Sequence, residues 1–402
     1  MRIHQLFIAT ALASVMMLGS CSNEQDEVQQ DRIVIATAPV EMRLGSNVGA
    51  VATRSALDDS ETIDTLGVFA LARHELSINQ APAAIQWWGT DETQVTACRL
   101  FNIEAKKTGA LVSWIDEDAH YYYPMTQFYA YDFYTYYPRV ADDQLDKSND
   151  NELYVDYKLD GKTDILWGRA ASMETTGYSA AYFTQDKAHF TEAEYLPKLN
   201  LRHQLTRLVF YAVPAPKYNG DAEPDYTAAK QMKVISIKVV NAYTDVRLTI
   251  ADLALDSPTS MVTGCATNST TDESWWRDRL VLRSENRDTI TLADQPIADS
   301  VQPEFIPVMV PDESTLPGGV QLGESMMLYP QTYYKLQIVL QNTADGLYHV
   351  SEIPLLIQPG GDPFIAGAQY KVVLRVGGPT ELSVRASLAD WDDGGNITVD
   401  MH

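Results

Sequence analysis

Apolar and polar residues alternate with a period of two in many parts of the chain, which indicates β-strands that bury one face and expose the other to water. The alternation is clearest in the segments 153–159, 235–239, 334–340, 370–376 and 382–388. Glycine pairs that are typical of turns lie near several of these segments, at 318–319, 360–361, 377–378 and 394–395. Because no strand–helix–strand rhythm accompanies them, the pattern predicts antiparallel sheets in an all-β fold.

Two longer segments are apolar on both faces, as expected of central strands. One is 199–213, and the other lies within 119–139, where Tyr and Phe dominate both faces. An exposed aromatic shelf for sugar is the alternative for the second segment, but large aromatic side chains more often belong to a core. The apolar segments 32–38 and 65–72 predict a first strand and a short buried strand, whereas the mixed small residues of 39–57 predict an irregular segment.

The predicted strands fall into two groups that are separated by the polar stretch 170–195. A length of 402 residues is enough for two domains that each have a core. We therefore expect two tandem antiparallel β-sandwich domains, the first formed by residues 32–195 and the second by residues 196–402.

The N-terminus has the pattern of a bacterial lipoprotein signal peptide. A basic residue precedes the apolar run 6–18, which is too short to span a bilayer stably. Leu18-Gly19-Ser20-Cys21 resembles a lipobox, which places a lipid-modified cysteine at the first mature position. We predict removal of residues 1–20, lipid attachment (palmitate) at Cys21 and a flexible tether over 21–31. An ordinary secretory signal with a chance cysteine at the cut is the alternative.

The net charge bears on which partners the protein can bind, and the cysteines bear on whether a disulfide supports the fold. A net charge of −24 with scattered Lys and Arg argues against nucleic acid as a partner, because phosphate binding needs clustered basic residues. Cys98 and Cys265 lie far apart in the sequence. Two separate buried thiols and one disulfide both remain open for them.

The sequence shows no motif for catalysis or metal binding. The seven histidines are spread singly, without the spacings of a zinc site. Neither a nucleophile elbow nor a phosphate loop occurs. The acidic residues in 390–394 are interpreted as a solvated turn after Trp391, since their spacing is wrong for a helical calcium loop. We expect no enzyme activity, no cofactor and no metal.

Two tryptophan pairs, Trp87-Trp88 and Trp275-Trp276, are candidates for contact with a glycan. Exposed aromatic rings stack on sugar rings, but the same residues can instead fill the gap between two sandwiches. These pairs are the only support for an alternative function, a monomeric surface lipoprotein that binds glycan.

An ordered set of short motifs resembles the fimbrillin family, the lipoprotein pilins and pilin-like adhesins of type V fimbriae. The set comprises the lipobox at Cys21, Thr53-Arg54, Leu66-Gly67-Val68-Phe69, Tyr122-Tyr123-Pro124, the aromatic segment 128–138, Asp164-Ile165-Leu166, and the segments 201–208, 365–370 and 391–395. No single motif is diagnostic, but together they run in the family order over most of the chain. The Trp-x-x-Gly-Asp motif usual before the Gly-Val-Phe strand is absent, which favours a minor, anchor or tip subunit, or a divergent surface protein, over a main stalk pilin.

The resemblance implies a structural or adhesive fimbrial subunit that is lipid-anchored in the outer membrane at the cell surface. In such pilins an Arg-specific protease removes the first strand, and a strand of a neighbouring subunit, from its C-terminal region, fills the vacated groove. The matching cleavage point here is Arg54-Ser55, with Arg43 as the alternate, and the strand removed would be 32–38. The implied partners are other fimbrial subunits, bound by β-strand addition, and a host or bacterial surface receptor.

Overall fold

The computed structural model describes residues 38–46, 62–75, 86–88, 97–125, 129–149, 151–170, 178–185, 195–215, 229, 231–256, 274–292, 320–357, 363–377 and 382–389, and the structural statements below concern these residues.

In this part of the chain the strands are β1 Leu44–Ser46, β2 Ile63–Glu75, β3 Cys98–Thr108, β4 Leu111–Trp114, β5 Tyr129–Tyr137, β6 Leu145–Asp146, β7 Glu152–Lys158, β8 Leu166–Ala170, β9 Lys198–His203, β10 Thr206–Pro214, β11 Met232–Tyr243, β12 Asp245–Asp252, β13 Leu280–Leu282, β14 Arg287–Thr291, β15 Val320–Leu328, β16 Tyr334–Asn342, β17 Tyr348–Leu355, β18 Gln369–Val376 and β19 Leu382–Ala389. Short helical turns are the 3₁₀ helices Asp142–Gln144 and Ser274–Arg279 and the helix α1 Ala180–Gln185. None of the described helices has the length and apolarity needed to cross a membrane.

The first sheet closes into a barrel with the strand order β1-β4-β3-β2-β5-β8-β9. Closure depends on β1, which pairs antiparallel with β4 on one side and parallel with β9 on the other. Several register shifts between β2 and β3 mark bulges, which bend and twist strands and so help a sheet to curve. The barrel is therefore complete only while the short strand β1 is in place.

The aromatic strand β5 lies inside the barrel sheet, between β2 and β8. Tyr131, Phe133, Tyr134 and Tyr136 on it are at most 2% exposed. The prediction of a central, buried aromatic strand is confirmed, and these side chains do not form an exposed shelf.

A second, 4-stranded sheet with the order β13-β12-β7-β6 packs against the barrel. Its apolar residues Leu153 and Leu248 belong to the same buried cluster as the barrel core. The Trp167 indole N–H on β8 donates to the Ile250 carbonyl oxygen on β12 at 2.8 Å. Barrel and sheet thus share one core.

The remaining strands form two facing 4-stranded sheets, β15-β10-β18-β19 and β14-β11-β16-β17. A separate buried cluster fills the space between them, and its members include Phe210, Ile237, Ile338 and Val372. Most neighbouring strands are antiparallel, but β10 and β18 run parallel along their whole paired length. This body is the sandwich that the alternation in the second half of the sequence predicts.

Strand pairing crosses the domain boundary that the sequence suggested near residue 195. Strand β9 completes the barrel, and β12 pairs with β7 over the register Asp245↔Lys158 to Asp252↔Glu152. The first body therefore combines strands from both sides of that boundary. The all-β prediction is confirmed, with one difference in architecture: the first sheet closes into a barrel, because β1 bridges its two edges.

Candidate functional site

The seam segment, which we define as residues 40–46, fills a gap between two parts of the barrel. The Met42 N–H donates to the Tyr121 carbonyl oxygen at 2.7 Å, and the Tyr123 N–H donates to the Val40 carbonyl oxygen at 2.9 Å. Further along, Leu44 pairs with Val112 on β4. The segment thus forms backbone contacts with 121–123 and then with β4.

The other side of the seam segment faces β9. Gly45 pairs with Lys198 and Ser46 with Leu199 in parallel register, and the Gly45 N–H donates to the Pro197 carbonyl oxygen at 2.9 Å. The strand is held by its backbone on both sides, as an inserted strand is in β-augmentation.

Alternate side chains of the seam segment enter the core. Val40, Met42 and Leu44 are 4%, 0% and 5% exposed, whereas Arg43 between them is exposed. Full burial of an aliphatic side chain of this size contributes about 1.5–3 kcal/mol, so the three together contribute about 5–9 kcal/mol. Removing the segment would leave an apolar groove of matching shape.

Polar contacts position residues 120–123, which line one side of the groove that the seam segment fills. The His120 imidazole Nδ1 and the Glu41 carboxylate Oε1 are 2.6 Å apart, and the Arg99 Nε–H donates to the Tyr122 carbonyl oxygen at 2.8 Å. The Tyr123 side chain in this stretch points into the core, where burial raises the pKa of its phenol well above the ordinary value, so the phenol stays neutral. Residues 120–123 are therefore held by Arg99, which lies outside the seam segment, as well as by the seam segment itself.

The prediction of an irregular segment over 39–57 is wrong for residues 44–46, and residues 47–57 lie outside the described part of the chain. Strand β1 lies at Leu44–Ser46 and pairs on both sides. Three alternating apolar residues, Val40, Met42 and Leu44, were the available signal. Glycine and small residues around them have low strand propensity, so the alternation did not stand out as a strand.

The predicted processing and lipid sites fall mostly outside the described residues. Cys21, Arg54 and Ser55 lie outside them, as does nearly all of the predicted strand 32–38. Arg43 is described and lies inside the paired seam segment, between the buried Met42 and Leu44. Because a protease binds its substrate as a free extended chain, this placement argues against Arg43 as the cleavage point.

Of the four tryptophans predicted as glycan contacts, the three whose side chains are described do not form an exposed shelf. Trp87 and Trp276 are 2% and 0% exposed, and the Trp87 indole N–H donates to the Ala72 carbonyl oxygen at 2.8 Å. Trp88 is half-buried and packs edge-on against Phe101, with ring centroids 5.7 Å apart. A sugar ring has no access to Trp87 or Trp276 here, and the side chain of Trp275 lies outside the described residues.

A buried cluster of charges joins the barrel to the second sheet. Arg169 on β8 contacts the Asp132 carboxylate on β5 at 2.5 Å and the Asp256 carboxylate after β12 at 2.9 Å. Arg279 also pairs with Asp256. Burial opposes ionisation of Asp256, but the two guanidinium groups outweigh it and lower the pKa of this carboxyl below its ordinary value. These ion pairs join the barrel to the second sheet.

Among the described residues, the remaining candidate for chemistry is the thiol of Cys98. Burial raises the pKa of Cys98 to about 12, against a smaller opposing effect of Lys147, so this thiol is a poor nucleophile. Cys265 lies outside the described residues. Among the residues that the structure describes, no group of three or more His, Cys, Asp or Glu side chains is arranged to hold a metal ion.

Comparisons with known proteins agree with the family that the motifs resemble. A family model described as fimbrillin-like matches residues 53–391. No curated protein matches the chain. Similar solved structures include a candidate cell adhesion protein from Bacteroides uniformis that is 13% identical to this chain. The alignment covers 88% of this chain and 99% of the other protein's chain, with a TM-score of 0.46.

Two further solved structures come from Porphyromonas gingivalis. The tip fimbrial protein Mfa3 is 10% identical and covers 88% of this chain and 100% of its own, with a TM-score of 0.39. A fimbrilin is 12% identical and covers 89% of this chain and 99% of its own, also with a TM-score of 0.39. Because the fimbrillin-like model spans most of the sequence, the chain belongs to the fimbrillin-like family.

Proposed function

We propose that the protein is a structural or adhesive subunit of a surface fimbrium, assembled by strand exchange at the seam. The observation that carries the proposal is the seam segment: its strand β1 closes the barrel between β4 and β9, and the segment buries the side chains of Val40, Met42 and Leu44. It precedes the Arg54-Ser55 bond, so cleavage there would separate it from the rest of the chain.

Cleavage alone would leave the strand bound by its contacts. Dissociation would then open a groove with the unpaired backbone edges of β4 and β9 and three apolar pockets. Such a groove favours an extended partner strand with apolar residues at alternate positions. Since the donor and the acceptor are different parts of each subunit, the contact is heterologous and builds an open chain of subunits.

The proposed location follows from the N-terminal motif. Lipid at Cys21 would hold the unprocessed chain in the outer membrane, and cleavage after Arg54 followed by dissociation of the seam segment would release the rest of the protein from its anchor. The proposed partners are other fimbrial subunits through strand addition and a surface receptor, with no role for nucleic acid. A catalytic function has no support from the described residues.

The experiment is an intact-mass and size measurement on the chain without its signal peptide and Cys21. The chain is treated with an Arg-specific protease, and an Arg54→Ala variant is the matched control. We expect a single cut after Arg54 followed by multimers in the parent protein, and an uncut chain that forms no strand-exchanged multimers in the variant. Resistance of the parent to cleavage, or a cut protein that stays monomeric after release of the segment, would contradict the proposal.

A further inference from the structure

Strand β17 forms one edge of the sheet β14-β11-β16-β17 in the sandwich. Within the described part of the chain it pairs only with β16, over the register Tyr334↔Leu355 to Gln341↔Tyr348. An edge strand presents a row of unpaired backbone groups that favours pairing with another strand.

The backbone alternation identifies which groups face outward. The Asn342 N–H donates to the Leu347 carbonyl oxygen at 2.9 Å, so the backbone groups of odd-numbered residues in this strand face β16. Tyr348, Val350 and Glu352 then direct their backbone groups away from the sheet. Pro354 has no N–H to offer, which ends this row.

Side chains on the same residues make the edge apolar. Tyr348 and Val350 are 62% and 61% exposed, and the neighbouring Leu347 is 58% exposed. Natural sheets usually protect such edges with lysine or other charged residues. The one carboxylate in the row, Glu352, already pairs with Lys335 at 2.5 Å.

We propose that β17 pairs antiparallel with β17 of a second copy of this chain, about a two-fold axis at Val350. This register places Val350 opposite Val350 and Tyr348 opposite Glu352, so no like charges face each other. The chain carries a net charge of −24, and this locally neutral strip is where two copies can approach. Pro354 lies beyond the paired residues.

The contact is a lateral, closed dimer, distinct from the open head-to-tail contact at the seam. Its area is at the low end for specific interfaces, below about 1,200 Å², so the dimer is weak in solution. Subunits held side by side on a cell surface would meet at high local concentration, which favours a weak contact of this kind.

The first test is sedimentation equilibrium of the uncleaved chain lacking residues 1–21, in which the seam segment blocks strand exchange. We expect a concentration-dependent dimer that Val350→Lys weakens at least about tenfold, because two lysines then face each other. Val281→Lys, an exposed valine on edge strand β13, is the matched control and leaves the dimer unchanged. A monomer at every concentration, or a dimer equally strong in Val350→Lys, would overturn the proposal.

The second test measures the register by oxidative cross-linking. Val350→Cys places two thiols on directly opposite residues, about 5.5 Å apart at Cα, within the range for a disulfide. Glu352→Cys places them several residues apart. We expect a cross-linked dimer from Val350→Cys only; equal cross-linking of both variants, or of Glu352→Cys alone, would refute the register. Neither result depends on cleavage at Arg54.

Discussion

At the scale of single residues, a few close contacts fix the barrel. Gly67 on β2 lies against the ring of Tyr136 on β5, and a Cβ there would overlap that ring and lie 2.7 Å from Asn102 Oδ1. The Tyr136 hydroxyl donates to Asn102 Oδ1 at 2.9 Å and accepts from the Val140 N–H at 3.1 Å. This contact joins β2, β3 and β5, so glycine at position 67 has a packing role.

Replacement of Gly67 by alanine tests that role. We expect Gly67→Ala to lower the free energy of unfolding by about 1–3 kcal/mol, because the new methyl group displaces the Tyr136 ring. Gly45→Ala is the control, since the nearest atom to a Cβ at that position would be 3.7 Å away. Urea unfolding of the two variants gives the comparison, and equal stability of both would contradict the packing argument.

The buried charge cluster gives a second prediction. The lowered pKa of Asp256 means that its carboxylate stabilises the fold fully above its ordinary pKa, and that this contribution is lost as the pH falls below about 4. Asp256→Asn removes the carboxylate that Arg169 and Arg279 share, so we expect a loss of about 3–5 kcal/mol near pH 7. The exposed Asp118→Asn is the control.

Urea unfolding between pH 3 and pH 7 checks the sign of this effect. The parent protein should lose stability on acidification more steeply than Asp256→Asn, which has no carboxyl to protonate at that position. Parallel pH profiles for the two proteins would show that folding does not lower the pKa of Asp256.

At the scale of elements, β1 shows what a local sequence pattern can and cannot predict. The alternating strands β16 and β18 and the aromatic strand β5 were predicted because each carries a strong local pattern. Strand β1 has only three residues and was not predicted, because its stability comes from partners distant in sequence, at 111–112 and 198–199. Closure of the barrel is likewise a long-range property that no local pattern contains.

Loss of the seam segment should destabilise the barrel. A chain that begins at Ser55 should lose up to about 5–9 kcal/mol of stability relative to the intact chain, which is the burial of Val40, Met42 and Leu44. A cleaved chain that keeps the segment bound should stay close to the intact value. Denaturant titrations of the three forms measure this, and a chain from Ser55 as stable as the intact protein would rule out a structural role for the segment.

At the scale of the whole molecule, the two halves of the sequence are interlocked. The core around the barrel includes Val246, Leu248 and Trp276, which lie far beyond the predicted boundary near 195. The loop after β7 also reaches the sandwich, where the Gly161 carbonyl oxygen accepts from the Met327 N–H at 2.9 Å. Polarity along the sequence does not show which strands pair, so it could not reveal this interlock.

A fragment that ends at residue 195 tests the interlock. It lacks β9, β12 and β13, so the barrel cannot close and one edge of β7 loses its partner β12. We expect residues 22–195 to show no cooperative unfolding transition and rapid proteolysis, unlike the intact chain. A fragment with a cooperative transition of its own would contradict the shared core.

The central claim is that the seam segment is a replaceable strand, and peptide binding tests it most directly. A labelled peptide of residues 38–46 is added to the chain that begins at Ser55, and fluorescence anisotropy is measured. We predict saturable binding that Met42→Asp in the peptide abolishes and that Arg43→Ala leaves unchanged, since Met42 is buried and Arg43 is exposed. Absence of binding, or equal binding of the Met42→Asp peptide, would contradict strand exchange at this site.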